Sequence, residues 1–367
     1  MSEINMNTMQ VTTDSGDNII EQMKEYYGKH LTGTNSVKSA CCADHPTSEV
    51  RSILPYIAEE IKDKYYGCGS PLPSLLRGMT VLDLGCGTGR DVYIASKLVG
   101  PNGHVIGIDM STEQIEIARK YQEEHRQIFG YDQSNVTFHQ GYIEDLKAFG
   151  IEDHSIDIVI SNCVINLSPN KEQVFKEIYR VLKPGGELYF SDVFADRRIP
   201  ENLTKDPVVR GECLGGALYV EDFRRLMSSV GWIDFRYMNI RPFDLTSENL
   251  KRKIGHVNFT SRTVRAFKLH DLEDICEDYG QVAYYNGQIP GHTHYFDLDD
   301  HHRFFRNQPM LVCGNTASML TNTRFSKVFT VTEPIEHFGA FAGCGSDSAS
   351  TIDGANQSEL SCGPGCC

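Results

Sequence analysis

The stretch Val81-Leu82-Asp83-Leu84-Gly85-Cys86-Gly87-Thr88-Gly89 joins a short apolar run to three glycines spaced two positions apart. An apolar run of this length is typical of a buried strand, and glycines let the backbone turn tightly and approach a ligand closely. The segment that follows, 90–100, has the pattern of a helix that ends at Gly100. A strand, a glycine turn and a helix in this order predict a ligand-binding loop in an α/β fold.

The alternation of strands and helices continues along the chain. Strands are predicted at 80–85, 104–110, 136–141, 155–164 and 186–194, and helices at 48–64, 90–100, 111–130, 170–186 and 220–232. Ser111 suits the N-cap of the third helix, and Pro184 followed by two glycines suits the end of the fourth. This alternation predicts a mostly parallel sheet with helices on both faces.

Composition excludes several classes of partner. The 367 residues carry a net charge of -14, which argues against binding to nucleic acid or to an anionic membrane. No apolar run is long enough to span a bilayer, and the polar N-terminus lacks the features of a secretory signal or a transit peptide. We therefore expect a cytoplasmic protein, with a monomer as the default assembly.

The glycine loop differs from that of dinucleotide-binding proteins. It reads G-x-G-x-G and not G-x-G-x-x-G, and the preceding Asp83 suits an ammonium group better than a pyrophosphate. Asp109 ends the second predicted strand, where a carboxylate can accept hydrogen bonds from both hydroxyls of a ribose. Together with Gly141-Tyr142-Ile143-Glu144 after the third strand, these features resemble class I S-adenosylmethionine-dependent methyltransferases.

This resemblance implies that S-adenosylmethionine is the methyl donor. In that family the residues after the third strand border the adenine, and Cys86 takes the place of a small residue in the loop, where we interpret it as a spacer. The predicted cofactor-binding residues lie at the ends of the first four strands: Asp83, Gly85, Cys86, Gly87, Asp109, Met110, Ile143, Glu144 and Asn162.

Twelve cysteines lie along the chain without a C-x-x-C pair, which argues against a zinc ribbon. In a cytoplasmic protein such cysteines indicate metal binding or redox chemistry rather than disulfides. Cys163 follows the fourth strand, at the edge of the sheet where ligands of α/β folds bind. Cys68 and Cys213 are flanked by glycines, and a thiol offers a soft ligand rather than a general base.

Longer strings make the resemblance more specific. YYGCG (65–69), SNCVINL (161–167), GELYFSDVF (186–194), GECLGGALY (211–219), FTSRTVRAFKL (259–269) and YYNGQIPGH (284–292) resemble arsenite methyltransferases, over roughly residues 40 to 335. The resemblance implies that Cys68, Cys163 and Cys213 bind trivalent arsenic and take part in its redox turnover. A fourth cysteine lies upstream, and Cys41 and Cys42 are both candidates.

The expected activity is methylation of arsenite and methylated arsenicals. We hypothesise that Cys68 forms a disulfide relay with Cys41 or Cys42, completed by an external thiol, for which the resemblance implies glutathione or thioredoxin. Two alternatives are a C-methyltransferase of a small organic substrate and a non-catalytic metalloid binder. Cys276 and Cys313 are interpreted as buried structural thiols, whereas the tail cysteines either capture arsenite or belong to a flexible end.

The predicted fold class is α/β, with a Rossmann-like class I methyltransferase sheet, a smaller α+β domain and a flexible C-terminal tail. The predicted parts are a mostly flexible segment (1–40), the cofactor-binding domain with the arsenic-binding cysteines (41–230), and an α+β domain covering the arsenic site (231–292). A C-terminal region (293–342) and a tail rich in Cys, Gly and Ser (343–367) follow.

Overall fold

The computed structural model describes residues 46–342 apart from 66, 68, 244 and 246. The predictions for residues 1–40, Cys41, Cys42, Cys68 and the tail 343–367 therefore lie outside the described residues. None of the helices within the described range is both long and apolar enough to cross a membrane.

Strands and helices alternate through the first half of the described chain. The strands are β1 (Thr80–Leu84), β2 (His104–Asp109), β3 (Val136–Gln140), β4 (Ile156–Asn162), β5 (Leu182–Ala195), β6 (Leu218–Tyr219), β7 (Arg236–Pro242), β8 (Phe259–Phe267), β9 (Glu277–Asp278), β10 (Gln281–Tyr285), β11 (Tyr295–Asp297), β12 (Arg303–Phe305), β13 (Pro309–Val312), β14 (Phe329–Val331) and β15 (Gly339–Ala340). The α-helices are α1 (Ser48–Ile53), α2 (Glu59–Asp63), α3 (Arg90–Val99), α4 (Thr112–Lys120), α5 (Gln122–Phe129), α6 (Lys171–Val181), α7 (Glu201–Thr204), α8 (Pro207–Gly211), α9 (Val220–Val230), α10 (Glu248–Ile254) and α11 (Gly314–Thr321). Short 3-10 helices cover Leu54–Tyr56, Leu146–Phe149, Ile165–Leu167 and Arg324–Lys327.

The central sheet has eight strands in the order β3-β2-β1-β4-β5-β8-β7, with β6 paired to β5. β1 to β5 run parallel to one another, as the alternating pattern predicts. β8 is antiparallel to both β5 and β7. The chain order reverses between β1 and β4, so the loops after these two strands diverge and leave a crevice at the carboxyl edge of the sheet.

Buried apolar side chains cover both faces of this sheet. One core cluster contains Val81 and Ile160 with the inner faces of α1 and α3, and a second contains Leu82 and Val159 with those of α6 and α9. Successive residues of one strand point to opposite faces, so a strand that is covered on both sides must be apolar throughout. This explains why apolar residues occupy both faces of β1 and β4.

Three predicted helices have different limits in the structure. The helix predicted over 48–64 is divided at Leu54–Tyr56, where Pro55 has no amide hydrogen to continue the helical pattern. The helix predicted over 111–130 is divided at Tyr121. The helix predicted over 170–186 ends at Val181, because Leu182 already pairs with Ile156 as the first residue of β5.

The division that the sequence suggests near residue 230 does not coincide with the edge of the central sheet. β7 and β8 lie beyond it and extend that sheet by two strands. The strands that follow form three small sheets, β13-β10-β14, β11-β12 and β15-β9, around a separate apolar core. The boundary of the central sheet is decided by pairing between strands that are distant in sequence, and composition alone does not reveal such pairing.

A buried ion cluster joins this last region to the central sheet. Glu187 of β5 is fully buried, and its two carboxylate oxygens meet Arg265 Nε at 2.6 Å and Arg324 Nη1 at 2.5 Å. Arg265 belongs to β8, whereas Arg324 begins the 3-10 helix that precedes β14. One carboxylate therefore holds two guanidinium groups from separate parts of the chain.

We expect Glu187→Gln to lower the free energy of unfolding by roughly 3–5 kcal/mol, because it leaves two buried cations without a counter-charge. Urea denaturation of the purified chain measures this change. The control is Glu172→Gln, which breaks an exposed pair with Lys176 at 2.6 Å and should cost less than about 1 kcal/mol. Equal losses for the two variants would contradict the role assigned to Glu187.

Candidate active site

The glycine loop after β1 packs closely against the loop after β4. Gly85 has a φ of +74°, and a Cβ placed on it would lie 2.3 Å from Cγ2 of Val164, in the loop after β4. The amides of Gly85 and Cys86 donate to the carbonyl of Ile108 at 2.8 and 2.9 Å. Only glycine permits both this backbone conformation and this close approach, so the loop lies flat across the crevice between β1 and β4.

Asp109 links the glycine loop to the end of β2. One of its carboxylate oxygens accepts a hydrogen bond from the Gly87 amide at 2.9 Å, and the other accepts from the Ser111 amide at 2.8 Å. Burial raises the pKa of Asp109, and these two amide donors oppose the rise. The carboxylate therefore orients the loop through its hydrogen bonds while it remains at the wall of the crevice.

Three carboxylates give the crevice an acidic character. Asp83 and Asp91 are buried and Asp109 is half-buried. Burial, followed by the charges of Asp91 and Asp109, raises the pKa of Asp83 well above its usual value. Arg90 pairs with Asp91 at 3.4 Å. The remaining repulsion between Asp83 and Asp109 is relieved by a cation, so the crevice favours a positively charged ligand.

Cys86 lies in the same acidic surroundings. Burial, followed by the charges of Asp109 and Asp83, raises the pKa of its thiol well above the usual value. The thiol consequently stays protonated, which makes it a poor ligand for a soft metal or metalloid. This agrees with the interpretation of Cys86 as a spacer in the loop.

All nine residues predicted to bind the cofactor line one open cleft of about 1130 Å³, its solvent-filled mouth included. They come from the ends of four strands: Asp83, Gly85, Cys86, Gly87, Asp109, Met110, Ile143, Glu144 and Asn162. The cleft also contains residues that the sequence reading missed, among them Tyr65, Asp91 and Gln114. Asp91 occupies the first turn of α3, where an acidic residue usually serves the helix dipole, so the sequence carried no signal of its burial.

The cleft fits a cationic nucleoside cofactor such as S-adenosylmethionine. The side-chain oxygen of Gln114 is buried and has no hydrogen-bond partner among the described atoms, which leaves an acceptor for a ligand. The acidic wall suits the cofactor's sulfonium and ammonium groups. Asn162, at the end of β4, is anchored by hydrogen bonds to Tyr65 Oη at 2.6 Å and to the Gly69 carbonyl at 2.8 Å.

Cys163 follows β4 directly and lines the cleft. It is 3% exposed, its φ is +57°, and its amide donates to the Ser191 carbonyl of β5 at 2.8 Å. A positive φ is rare for a residue with a Cβ and costs of order 1–3 kcal/mol, so such residues are concentrated at functional sites. The sulfur of Cys163 is part of a disulfide in the structure.

Cys213 has the same unusual backbone conformation, with a φ of +61°, and is 4% exposed. Its Sγ donates to the carbonyl oxygen of Cys163 at 3.4 Å. The structure therefore brings together two predicted arsenic-binding cysteines that lie 50 residues apart in sequence. Cys68, the third, lies outside the described residues.

Apolar residues surround the two cysteines. They share a core cluster with side chains of α7 and α8 and with several residues of the segment expected to cover the site: Phe243, Leu250, Ile254, Val257 and Phe259. Several polar and aromatic residues of the same segment are not among the cleft-lining residues: Arg262, Arg265, Tyr284, Tyr285 and His292. An apolar shell of this kind keeps water from bound soft ligands.

Asn166 fastens the loop after β4. Its side-chain nitrogen donates to Asp192 at 2.7 Å and to the Val193 carbonyl at 2.6 Å, while its own amide donates to Asp192 at 3.1 Å. Burial raises the pKa of Asp192 to about 7, against the lowering effect of the Val193 and Asn166 amides and of the Lys171 charge. Neither Asn166 nor Asp192 was predicted, because their importance depends on contacts between separate loops.

The carbonyl of Asn166 also meets the loop that carries Cys213. A Cβ placed on Gly216 would lie 1.9 Å from this oxygen. We expect Gly216→Ala to push the two cysteine-bearing loops apart and to lower the catalytic rate about tenfold, with cofactor affinity within threefold of the parent. Steady-state rates and cofactor titration measure the two effects.

Gly215→Ala is the matched control, since its Cβ would meet backbone atoms at 3.1 Å, where small shifts suffice. It should lower the rate less than Gly216→Ala does. An equal or larger loss in Gly215→Ala would contradict the role given to the contact with Asn166.

A crevice at the strand-order reversal, a G-x-G-x-G loop and an acidic wall define the chain as a class I methyltransferase that uses S-adenosylmethionine. Residues 75–231 match the family model of a methyltransferase domain, and residues 278–360 match that of the arsenite methyltransferase C-terminal domain. The chain belongs to the arsenite methyltransferase family.

Its relatives are similar along most of their length. The chain is 47% identical to the arsenite methyltransferase of Aquipseudomonas alcaligenes over 328 residues, which cover 89% of this chain and 94% of the relative. It is 40% identical to the human arsenite methyltransferase over 329 residues, which cover 89% of this chain and 87% of the relative. The structure resembles that of an arsenic(III) S-adenosylmethionine methyltransferase from Chlamydomonas reinhardtii, with a TM-score of 0.78, 50% identity, and coverage of 81% of this chain and 99% of the other.

Proposed function

We propose that this chain transfers methyl groups from S-adenosylmethionine to trivalent arsenic, with arsenite and methylarsenite as substrates. The observation that carries the proposal is the contact between Cys213 and Cys163 next to the acidic cleft. Cys163 belongs to the cleft and to the cysteine pair, since it lines the cleft and its carbonyl oxygen accepts the hydrogen bond of the Cys213 thiol. Soft sulfur ligands and a site for a cationic methyl donor thus meet at one residue.

The chemistry of arsenic agrees with this arrangement. Trivalent arsenic forms three bonds, prefers soft thiolates and keeps a lone pair. In the proposal Cys163, Cys213 and a third sulfur, from Cys68 or a small thiol, hold it so that the lone pair is directed towards the cleft. No general base is needed because the nucleophile has no proton to lose, and positioning can contribute roughly 7–11 kcal/mol.

S-adenosylmethionine supplies an electrophilic methyl group on a positively charged sulfur when it is bound. In the proposal the residues of the chain hold this charge and orient the donor: Asp83 and Asp109 provide negative charge, and Gln114 and Asn162 provide polar contacts. The apolar residues around Cys213 exclude water from the arsenic. The catalytic contribution of the protein is therefore positioning and exclusion of water.

Repeated turnover requires a source of electrons. Methylation takes arsenic from the trivalent to the pentavalent state, and two electrons return it to the trivalent state. Two thiols supply them by forming a disulfide and releasing two protons, after which an external thiol such as glutathione or thioredoxin reduces the disulfide. A reducing compartment such as the cytoplasm suits this cycle.

The test is incubation of the purified full chain with arsenite, a thiol and methyl-labelled S-adenosylmethionine, followed by separation of the arsenic species. We expect label in methylated arsenic. If the chain consumes the cofactor and labels an organic acceptor such as a quinone instead, the substrate assignment is overturned. Binding of arsenite without any binding of the cofactor would overturn the whole proposal.

The relay gives a separate prediction for Cys68. We expect Cys68→Ser to retain a single methylation when a small thiol provides the third sulfur, and to lose repeated turnover at least tenfold. A single-turnover experiment and a steady-state experiment with the same variant distinguish the two. Undiminished steady-state turnover would remove Cys68 from the relay with Cys41 or Cys42.

A further inference from the structure

A second pair of cysteines converges on one arginine, away from the cleft. Arg236, the first residue of β7, is buried, and its Nη2 atom donates to Cys276 Sγ at 3.8 Å and to Cys313 Sγ at 3.9 Å. Neither cysteine is among the residues that line the cofactor cleft. Both sulfurs thus lie within 4 Å of one nitrogen atom, although they come from separate parts of the chain.

The surroundings of Cys313 stabilise negative charge on sulfur. Cys313 is the N-cap of α11, and its Sγ accepts a hydrogen bond from the Thr316 amide at 3.4 Å. The hydroxyl of Thr316 lies 3.3 Å from the same sulfur. Helix N-termini and neighbouring guanidinium groups are the settings in which thiols become good ligands.

Cys276 provides a route from solvent. It is half-buried, whereas Cys313 is fully buried, and the neighbouring Ile275 is 54% exposed. A ligand that reaches Cys276 from outside therefore meets the sulfur that shares a hydrogen-bond donor with the buried Cys313. A pair with one accessible and one shielded member can capture a ligand and then hold it out of water.

The charge around the pair limits the kind of ligand. Arg236 is matched by two carboxylates, Asp234 at 2.7 Å and Asp299 at 3.4 Å, so the guanidinium stays charged. Because these charges already balance within the buried ion cluster, a metal ion at the two sulfurs would add a further buried charge. A neutral ligand that bonds to sulfur adds none, and this favours a neutral thiophilic molecule over a metal ion.

We propose that Cys276 and Cys313 form a second arsenical site, which binds a neutral trivalent arsenical that carries one organic group and two hydroxyls. Two arsenic–oxygen bonds break and two arsenic–sulfur bonds form. Each thiol proton leaves in a molecule of water, so no electrons are transferred. A chain with the proposed function produces such a species after one methylation and one reduction. The biological source of the ligand therefore rests on the proposed function, whereas binding at the two cysteines does not.

The test measures binding of methylarsonous acid to the reduced full-length chain by native mass spectrometry, in the presence of excess glutathione as a competing monothiol. We expect Cys276→Ser and Cys313→Ser each to bind one arsenical fewer than the parent, because one sulfur does not hold the ligand against glutathione. The double variant should lose the same single equivalent. Serine is a good N-cap, so Cys313→Ser preserves α11.

A second measurement does not depend on variants. In the parent chain, methylarsonous acid should protect the half-buried Cys276 from iodoacetamide, as read by peptide mapping. Unchanged stoichiometry in the double variant, or alkylation of Cys276 that methylarsonous acid does not slow, would overturn the second site. Cys163→Ser separates the two proposals, because it should lose methyl transfer and still keep the equivalent bound by Cys276 and Cys313.

Discussion

Replacing Cys163 with serine is expected to reduce methyl transfer to arsenite roughly a thousandfold or more, the order expected when the positioning of reactants is lost. Serine preserves the size of the side chain but offers a hard oxygen in place of a soft sulfur. Arsenic would then keep only one protein ligand near the cleft among the described cysteines, Cys213. It would lose its fixed direction relative to the methyl donor.

The affinity for S-adenosylmethionine should change less than threefold in Cys163→Ser, because the hydrogen bonds of the glycine loop involve other residues. Isothermal titration with the cofactor and a rate assay with arsenite measure the two quantities on one preparation. A rate within tenfold of the parent would show that Cys163 does not hold the substrate.

Cys86 provides a comparison within the same cleft. Its thiol is kept protonated by burial and by the charges of Asp109 and Asp83, so it should not bind arsenic. We expect Cys86→Ser to lower the rate by only a few fold, through a small change in the cofactor loop. Equal losses in Cys86→Ser and Cys163→Ser would mean that loss of any thiol in the cleft has the same effect, which the proposal does not allow.

Replacing Asp109 with asparagine is expected to weaken cofactor binding about a hundredfold, which corresponds to roughly 2.7 kcal/mol. Both carboxylate oxygens accept hydrogen bonds from backbone amides, Gly87 on one side and Ser111 on the other. Asparagine offers one oxygen only, so its NH2 group must face one of these amides. The loop would open on that side, and negative charge at the cofactor wall would be lost as well.

The measurement for Asp109→Asn is the dissociation constant of S-adenosylmethionine, together with the rate at saturating cofactor. The control is Asp132→Asn, since Asp132 is exposed and does not line the cleft, and its affinity should equal that of the parent. If Asp109→Asn binds the cofactor as tightly as this control does, the carboxylate has no part in holding the loop.

Much of the cofactor site could be predicted because its signals are local. The glycine loop occupies nine consecutive residues, and Asp109 and Glu144 follow the ends of apolar strands that are visible in the sequence. In a parallel sheet these strand ends meet at one edge, so the order of strands and helices is enough to bring them together. The parallel sheet itself followed from the same alternation.

The sequence did not reveal which polar residues support the site. Gln114 and Asp91 look like ordinary helix residues, and Asn166 looks like an ordinary loop residue. Their roles depend on the segments that pack against them, such as Asp192 and Gly216 in the case of Asn166. The pair of Cys276 and Cys313 was likewise interpreted as two buried thiols, since the arginine that joins them is 40 residues from one and 77 from the other.

The sequence by itself therefore determined the parallel sheet, the glycine loop and the end of β4 at which Cys163 lies, because each is encoded in a few consecutive residues. Only the tertiary structure decided that Cys213 meets Cys163, that β7 and β8 extend the central sheet, and that Arg236 draws two distant sulfurs together. The physical reason is that hydrogen bonds and packing act over a few ångströms in space. Residues that are close in space but tens of positions apart in the chain leave no periodic signal in the sequence.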